Sequence, residues 1–152
     1  MFEYGLMLVF PAFMIFAGVS DMLTMTIPNR ISIILFGAFF FVAFFAGLSL
    51  EQVGMHLAVG LGVLVAGIAL FSLGLCGGGD AKLLAAASLW VGFDQMLPFV
   101  IYIGAGGGIL AFAILAYRIA VPEVLAARLG WAYRLHQPTS GIPYGIAIAG
   151  GA

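Results

Sequence analysis

The sequence predicts an all-α, polytopic membrane protein. Of its 152 residues, 64% are hydrophobic and only 7% are charged, and the mean hydropathy is +1.24. Charged residues make up about a quarter of an ordinary soluble chain. Long apolar runs alternate with short polar connections, and at roughly 20 residues per crossing the chain has room for about six transmembrane helices. We therefore expect one membrane-embedded domain over residues 1–152.

A proline-containing break separates the first two predicted helices. The first apolar run extends from about Tyr4 to Val19 and stops at Ser20-Asp21. The second extends from Ile31 to Leu50 and follows the segment Ile27-Pro28-Asn29-Arg30. A proline disfavours the helical conformation in the residue before it. The first helix should therefore end before Pro28, and the second should begin just after it.

The fourth apolar run is much shorter than its neighbours. The third extends from about Val53 to Leu75 and the fifth from Met96 to Tyr117, but the fourth covers only Leu83 to Val91. About ten residues rise roughly 15 Å as a helix, against an apolar core of about 30 Å. Glycine permits backbone conformations closed to other residues. We expect the run Gly77-Gly78-Gly79 to form a break that dips into the membrane and lets Asp80 face a wet cleft.

The end of the chain combines a polar stretch with a short apolar piece. Residues 118–141 are predicted to form a cytoplasmic loop. Within it, residues 122–135 could form a helix on the membrane surface, with one face made by Val124, Leu125, Leu129 and Ala132. Arg118, Arg128 and Arg134 could then reach anionic lipid head groups. Residues 142–152 are too few to span a bilayer. Either they enter the membrane without crossing it or they are the truncated start of the last helix, and we favour the second interpretation.

The basic residues predict the orientation. All five lie in the connections after the first, third and fifth runs: Arg30, Lys82, Arg118, Arg128 and Arg134. The connections after the second and fourth runs contain Glu51 and Asp94 but no basic residue. Because basic residues near helix ends mark the cytoplasmic side, the N-terminus should lie outside. Asp21 and Asp80 should both lie at the cytoplasmic face.

Two further patterns predict packing. Gly104 and Gly108 form a GxxxG pair in the fifth run, and small residues at this spacing allow membrane helices to approach closely. Trp90 lies near the end of the fourth run, a position typical of an aromatic side chain at the membrane surface. We expect the Gly104–Gly108 pair to form a helix-packing seam and Trp90 to lie at the membrane–water interface.

Asp21 and Asp80 are the candidate functional residues. A carboxylate at the centre of a membrane helix costs about 2.5–3.5 kcal/mol, so such a group is a functional candidate by default. If the two approach each other they should share a proton. One can then draw a proton from water while the other polarises a peptide carbonyl. This chemistry needs no metal or cofactor, and the single cysteine, Cys76, offers no zinc pair. The alternative is that each aspartate caps a helix end.

Three motifs resemble those of the type IV prepilin peptidases. Gly77-Gly78-Gly79-Asp80, followed by Ala81-Lys82-Leu83-Leu84, looks like the family's GxGD motif. The segment from Asp21 to Asn29, which includes Ile27-Pro28, is similar to its D-x₅-[IL]-P-[ND] signature. Ile142-Pro143-Tyr144-Gly145-Ile146-Ala147 resembles its [IV]-P-[FY]-G-x-[AF] segment. The motifs occur in the family's order and cover nearly the whole chain.

The resemblance implies a membrane aspartic endopeptidase that removes the leader of prepilins or pseudopilins at the cytoplasmic face of the bacterial inner membrane. Asp21 and Asp80 match its catalytic aspartates. The supporting motif positions are Pro28, Asn29, Gly77, Gly78, Gly79, Lys82, Pro143 and Gly145. The chain has no paired CxxC motif, which points to the short form found with tight-adherence (Flp) pili and argues against N-methyltransferase activity. The implied partners are the prepilin substrate and the lipid bilayer.

Other interpretations stay open. A small proton-coupled transporter subunit could use the aspartates as relay groups, although a relay favours carboxylates distributed between the two faces. A presenilin-type protease shares GxGD, but its other aspartate follows a tyrosine, whereas Ser20 precedes Asp21 here. A non-catalytic assembly factor is a third alternative. The net charge of −1 provides no argument for nucleic-acid binding, and the oligomeric state stays undetermined.

Overall fold

The computed structural model describes residues 2–137 and 141–152, which form helices and no strands. In chain order the helices are α1 (Phe2–Thr24), α2 (Asn29–Ala46), α3 (Leu50–Ser72), α4 (Gly78–Val91), α5 (Met96–Ala120), α6 (Glu123–Ala126), α7 (Gly130–His136) and α8 (Tyr144–Gly151). The all-α prediction is confirmed. Positions 138–140 of the predicted loop 118–141 lie outside the described residues.

The long helices have the length and composition of membrane spans. In the described part of the chain, α2, α3 and α5 are long and apolar enough to cross a bilayer, and Leu8–Thr24 of α1 forms a shorter apolar helix. Their outer faces present apolar side chains, and Phe44 of α2 and Phe112 of α5 are 81% and 77% exposed. Such large apolar surfaces are typical of contact with lipid. The fold is therefore that of a polytopic membrane protein.

Helix α4 is short and lies at the centre of the bundle. Its 14 residues extend about 21 Å, less than the apolar thickness of about 30 Å. The helix packs against α3, α2 and α8, and Leu83, Ala87 and Trp90 are fully buried. The Trp90 Nε1 donates a 2.9 Å hydrogen bond to the carbonyl of Leu35. The prediction that Trp90 lies at the interface is wrong, because α1 and α2 enclose its ring.

The breaks between helices follow local signals. Pro28 has extended backbone angles (φ −60°, ψ 131°) and precedes the first residue of α2. At the other end of α2, Gly47 takes a left-handed conformation (φ 72°), which glycine adopts without strain. The Ser49 side chain then accepts a hydrogen bond from the Gln52 backbone, and the Gln52 side chain accepts one from Ser49. This capping box begins α3.

The glycine run begins α4 rather than interrupting the chain before it. The break covers Leu73 to Gly77, and Gly78 and Gly79 already belong to the first turn of α4. The helix therefore starts about one turn before the predicted apolar run at Leu83. Gly77, with extended angles (φ −74°, ψ 144°), occupies the capping position. Helical structure thus extends through Asp80, which the sequence analysis placed behind an irregular break.

Glycines in α3 and α5 form close contacts with neighbouring helices. A Cβ added to Gly67 of α3 would lie 2.9 Å from the Cβ of Ala81 in α4. In α5, a Cβ at Gly107 would lie 3.0 Å from Cε1 of Tyr144, whereas Gly104 and Gly108 have no described atom within 4 Å of theirs. The predicted Gly104–Gly108 seam is wrong because α8 packs on a neighbouring face of α5.

The connection from α5 to α8 contains two short helices instead of one surface helix. Helix α6 covers four residues and α7 covers seven. Leu125 and Leu129 are each 54% exposed, whereas Ala132 is buried. These residues therefore do not share one face, because the chain changes direction between Ala127 and Gly130.

Candidate active site

Asp21 lies near the end of α1 and is only 5% exposed. Its Oδ2 accepts a 2.8 Å hydrogen bond from the backbone N–H of Gly145, in the first turn of α8. The first N–H groups of a helix have no partner within the helix, so a carboxylate is a favourable acceptor for them. The bond joins the first helix of the chain to the last one described.

Gly145 has no room for a side chain. A Cβ there would lie 2.8 Å from Oδ2 of Asp21 and 2.9 Å from the Cδ1 of Ile27. Real Cβ atoms essentially never approach other atoms this closely. The buried Pro143 precedes α8. Its restricted φ limits how the backbone enters the helix. The Pro143 and Gly145 positions of the third motif therefore shape the surroundings of Asp21.

Asp80 is the third residue of α4 and is half-buried. Its carboxylate turns back toward Gly77, because a Cβ on Gly77 would lie 2.9 Å from Oδ2 of Asp80. An acidic residue three positions after the capping residue commonly turns toward it in this way. The glycine at position 77 thus leaves space for the Asp80 side chain.

Asp21 and Asp80 lie on different helices, α1 and α4, and the side chain of Ile27 connects their surroundings. Ile27 packs between the segments that carry them. Its Cδ1 approaches Gly145, and its Cβ lies 3.3 Å from the position of a Cβ on Gly79, next to Asp80. The 9% exposed Ile27 side chain gives the site an apolar wall.

The turn that carries Ile27 has an unusual backbone. Met25 takes a positive φ of 54°, which is uncommon for a residue other than glycine. The hydroxyl of Ser20 donates a 3.2 Å hydrogen bond to the carbonyl of Thr26, and the Thr24 hydroxyl donates one of 2.8 Å to the carbonyl of Ser20. These bonds stabilise the turn directly after Asp21 and direct Ile27 toward α4.

The remaining motif residues join the surrounding helices. The Nζ of Lys82 donates a 3.0 Å hydrogen bond to Oδ1 of Asn29, which connects the start of α4 with the start of α2. Pro28 caps α2. A Cβ on Gly78 would lie 3.4 Å from Cε2 of Phe71 in α3. These residues therefore hold α2, α3 and α4 together beside the carboxylates.

Two arginines near the site have partners that the sequence analysis missed. Arg134 of α7 donates a 2.6 Å hydrogen bond to the carbonyl of Leu23, two residues after Asp21. Arg118 of α5 donates hydrogen bonds to backbone carbonyls of the segment that leads to α8. The sequence analysis assigned both to lipid head groups. No local motif could indicate these carbonyls, because they lie on segments that only the tertiary fold brings near.

The hydrogen bonds of Lys82 and Arg134 lie at one end of the helix bundle. Lys82 lies two residues after Asp80, and Arg134 bonds to the end of α1. At the opposite end, His56 of α3 lies 2.7 Å from the carbonyl of Leu89, near the connection that contains Asp94. Both aspartates therefore share one end of the bundle with these basic side chains.

The site can carry out chemistry through two carboxylates. Within the described part of the chain, no group of three or more His, Cys, Asp or Glu side chains is arranged to hold a metal ion. One ionised and one protonated carboxyl beside an apolar wall can activate water and polarise a carbonyl together.

Comparison with known proteins identifies a family. A model of the type IV leader peptidase family matches residues 8–117. The matched region contains both aspartates and the glycine run, and it ends before Arg118 and α8. No curated protein and no solved structure matches the chain.

Proposed function

Because the chain belongs to the type IV leader peptidase family, we propose that it is a membrane aspartic endopeptidase that cuts the N-terminal leader from prepilins or pseudopilins. Asp21 and Asp80 form the catalytic pair. The observation that carries this proposal is the packing of Ile27 between the two segments that carry these residues. Its Cδ1 lies 2.9 Å from the position of a Cβ on Gly145, whose N–H bonds to Asp21. Its Cβ lies 3.3 Å from the position of a Cβ on Gly79, the residue before Asp80.

In the proposed reaction one carboxylate of the pair is ionised and the other is protonated. The ionised group takes a proton from water as the water oxygen attacks the carbonyl carbon of the scissile peptide bond. The protonated group donates its proton to the carbonyl oxygen, which gives a tetrahedral diol. Collapse of the diol breaks the C–N bond, and the leaving nitrogen takes a proton from the pair.

The setting of Asp21 supports a defined geometry for this pair. The Gly145 N–H engages Oδ2, which leaves Oδ1 for water. Ile27 covers one side with an apolar side chain. An apolar wall excludes bulk water, and this strengthens the electrostatic interactions that stabilise charge in the transition state.

The distribution of charge supports cleavage at the cytoplasmic face of the bacterial inner membrane. The five basic residues lie in alternate connections, and the contacts of Lys82 and Arg134 lie at the end of the bundle that holds the aspartates. This is the side on which basic residues accumulate. A substrate with a polar leader in the cytoplasm and an apolar segment in lipid would meet the site there.

The position of both carboxylates at one end argues against the relay alternative. A proton relay across a membrane needs groups at successive depths. Peptide hydrolysis needs two carboxyls at one reacting bond, and this matches a shared site better.

Cleavage of a prepilin by the protein in lipid nanodiscs tests the proposal. We expect the unchanged protein to release the leader, and Asp21→Asn and Asp80→Asn each to lose at least 1,000-fold in rate, because Asn can neither accept nor donate the required proton. Asp94→Asn, an exposed aspartate at the other end, is the matched control and should retain full activity. Near-normal cleavage by either Asn variant at positions 21 or 80 would show that the assignment is wrong.

A further inference from the structure

Two arginines donate hydrogen bonds from the connection between α5 and α8. The connection begins at Arg118 in the last turn of α5 and includes Arg134 of α7. Both side chains donate to backbone carbonyls of the protein. The family match ends at residue 117, so neither arginine belongs to the matched region.

Arg118 bonds to the segment that leads into α8. Its Nε donates to the carbonyl of Leu135 at 2.8 Å, and its Nη2 donates to those of Gln137 at 3.0 Å and Gly141 at 3.3 Å. Gly141 lies four residues before Gly145. Between them, the buried Pro143 restricts the backbone. A displacement of Gly141 should therefore cause a similar displacement of the Gly145 N–H.

Arg134 bonds to the end of the helix that carries Asp21. Its Nη2 donates to the carbonyl of Leu23 at 2.6 Å. The last carbonyls of a helix have no partner within the helix, and a cation near them is favourable. Because Leu23 lies two residues after Asp21, this bond fixes the end of α1 that carries the carboxylate.

We propose that Arg118 and Arg134 are positioning residues for Asp21. Arg134 fixes the helix end from which the carboxylate projects, and Arg118 fixes the segment whose Gly145 N–H bonds to Oδ2. Hydrogen bonds from a charged donor are roughly twice as strong as neutral ones, and a guanidinium can reach several carbonyls at fixed angles. The consequence for catalysis rests on the proposed peptidase function, whereas the consequence for the Gly145 hydrogen bond does not.

Hydrogen exchange tests the structural part without any substrate. In Arg118→Met, which keeps the apolar stem and removes the donors, we expect the amide of Gly145 to exchange at least tenfold faster, while α3 and α4 are unchanged. The matched control is Arg128→Met. Arg128 lies in the same connection, is exposed, and donates no hydrogen bond among the described residues. Unchanged exchange at Gly145, or an equal increase in all helices, would overturn the proposal.

Kinetics test the catalytic part. We expect Arg118→Met to lower kcat about tenfold with KM within twofold, and Arg118→Lys to recover part of the loss. Arg134→Gln, which removes one hydrogen bond, should lower kcat by a smaller factor than Arg118→Met. This variant provides the test if Arg118→Met does not fold. If Arg118 acts through Gly145, the double variant Arg118→Met/Gly145→Ala should be no slower than Gly145→Ala alone.

The outcomes separate the two proposals. The positioning proposal would be overturned if the reductions in kcat of the two single variants multiplied in the double variant. It would also be overturned if Arg118→Met raised KM and left kcat unchanged, even if the unchanged protein cleaves prepilin. Failure of the unchanged protein to cleave prepilin would contradict the peptidase function, and hydrogen exchange would still decide whether Arg118 positions Gly145.

Discussion

The backbone N–H of Gly145 donates a 2.8 Å hydrogen bond to Oδ2 of Asp21, although the two residues are 124 positions apart in the sequence. The bond occupies one carboxylate oxygen and fixes the direction of the other. A backbone donor restricts the carboxylate more firmly than a mobile side chain would. The geometry of the candidate catalytic pair therefore depends on how α8 packs against α1.

Gly145→Ala should impair both activity and stability. The added Cβ would lie within 2.9 Å of atoms in Asp21 and Ile27, and α1 and α8 pack too closely to absorb it. Displacing a reacting group by about 1 Å can cost about 100-fold in rate. We expect a loss of that order in leader cleavage. Gly150→Ala in the same helix, where a Cβ meets no described atom within 4 Å, should leave cleavage unchanged. Equal losses in both variants would contradict the explanation.

Gly77→Ala should impair activity much more than stability. Apart from its chain neighbours, the only described atoms that its Cβ would approach within 4 Å belong to the Asp80 carboxyl, and this side chain can rotate away at little cost. The backbone angles at Gly77 suit alanine. We expect about a tenfold loss of cleavage with an unfolding midpoint close to that of the unchanged protein, measured by thermal denaturation in detergent. Gly104→Ala is the control. A large drop in the midpoint would indicate a structural role instead.

Gly67→Val should destabilise the contact between α3 and α4. A Cβ at this position already lies 2.9 Å from the Cβ of Ala81, and two further methyl groups would force the helices apart. Overpacking typically costs about 1–3 kcal/mol. We expect a decrease of this size in the free energy of unfolding, measured by denaturant titration in mixed micelles. Gly62→Val carries the same helix-propensity penalty but meets no described atom near its Cβ, so it should cost clearly less.

Trp90→Phe should destabilise the bundle and leave the catalytic pair in place. The substitution removes a 2.9 Å hydrogen bond to the Leu35 carbonyl and reduces the stacking on Phe10, whose ring centroid lies 5.6 Å away. A lost hydrogen bond and a cavity together cost about 2–4 kcal/mol. At low temperature, where the variant stays folded, cleavage should stay within about twofold of normal. A specific loss of kcat in the folded variant would connect Trp90 to the chemistry.

The sequence analysis predicted the fold class and the helix order because both follow from local properties. Apolar run length determines which segments can cross a bilayer, and Pro28 marks where α2 begins. The prediction that the second run extends to Leu50 overlooks the signals at Gly47 and Ser49, which end α2 and begin α3.

The packing of Ile27 against Gly145 and Gly79 brings together the segments that carry Asp21 and Asp80. The pairing of the two carboxylates is a prediction from the motifs. Their catalytic role stays a prediction, which the Asn variants test.

The errors concern which face of a helix meets a neighbour. Trp90 has the position of an interfacial aromatic along the chain, but the short α4 lies inside the bundle, so its end is buried. Gly104 and Gly108 have the expected spacing, yet α8 packs against Gly107. Periodicity along one helix does not specify the rotation of that helix about its axis. Only the partner helices determine it, and they are distant in sequence.

The order of synthesis gives the last helix a particular importance. A ribosome releases α1 and α4 into the membrane well before Gly145 emerges, so the nascent chain holds both acidic residues while Oδ2 of Asp21 still lacks its donor. If the donor is needed for turnover, the growing polypeptide stays inert toward neighbouring membrane proteins. Competence would then appear only when α8 docks against α1, which makes the synthesis and docking of α8 the activating event.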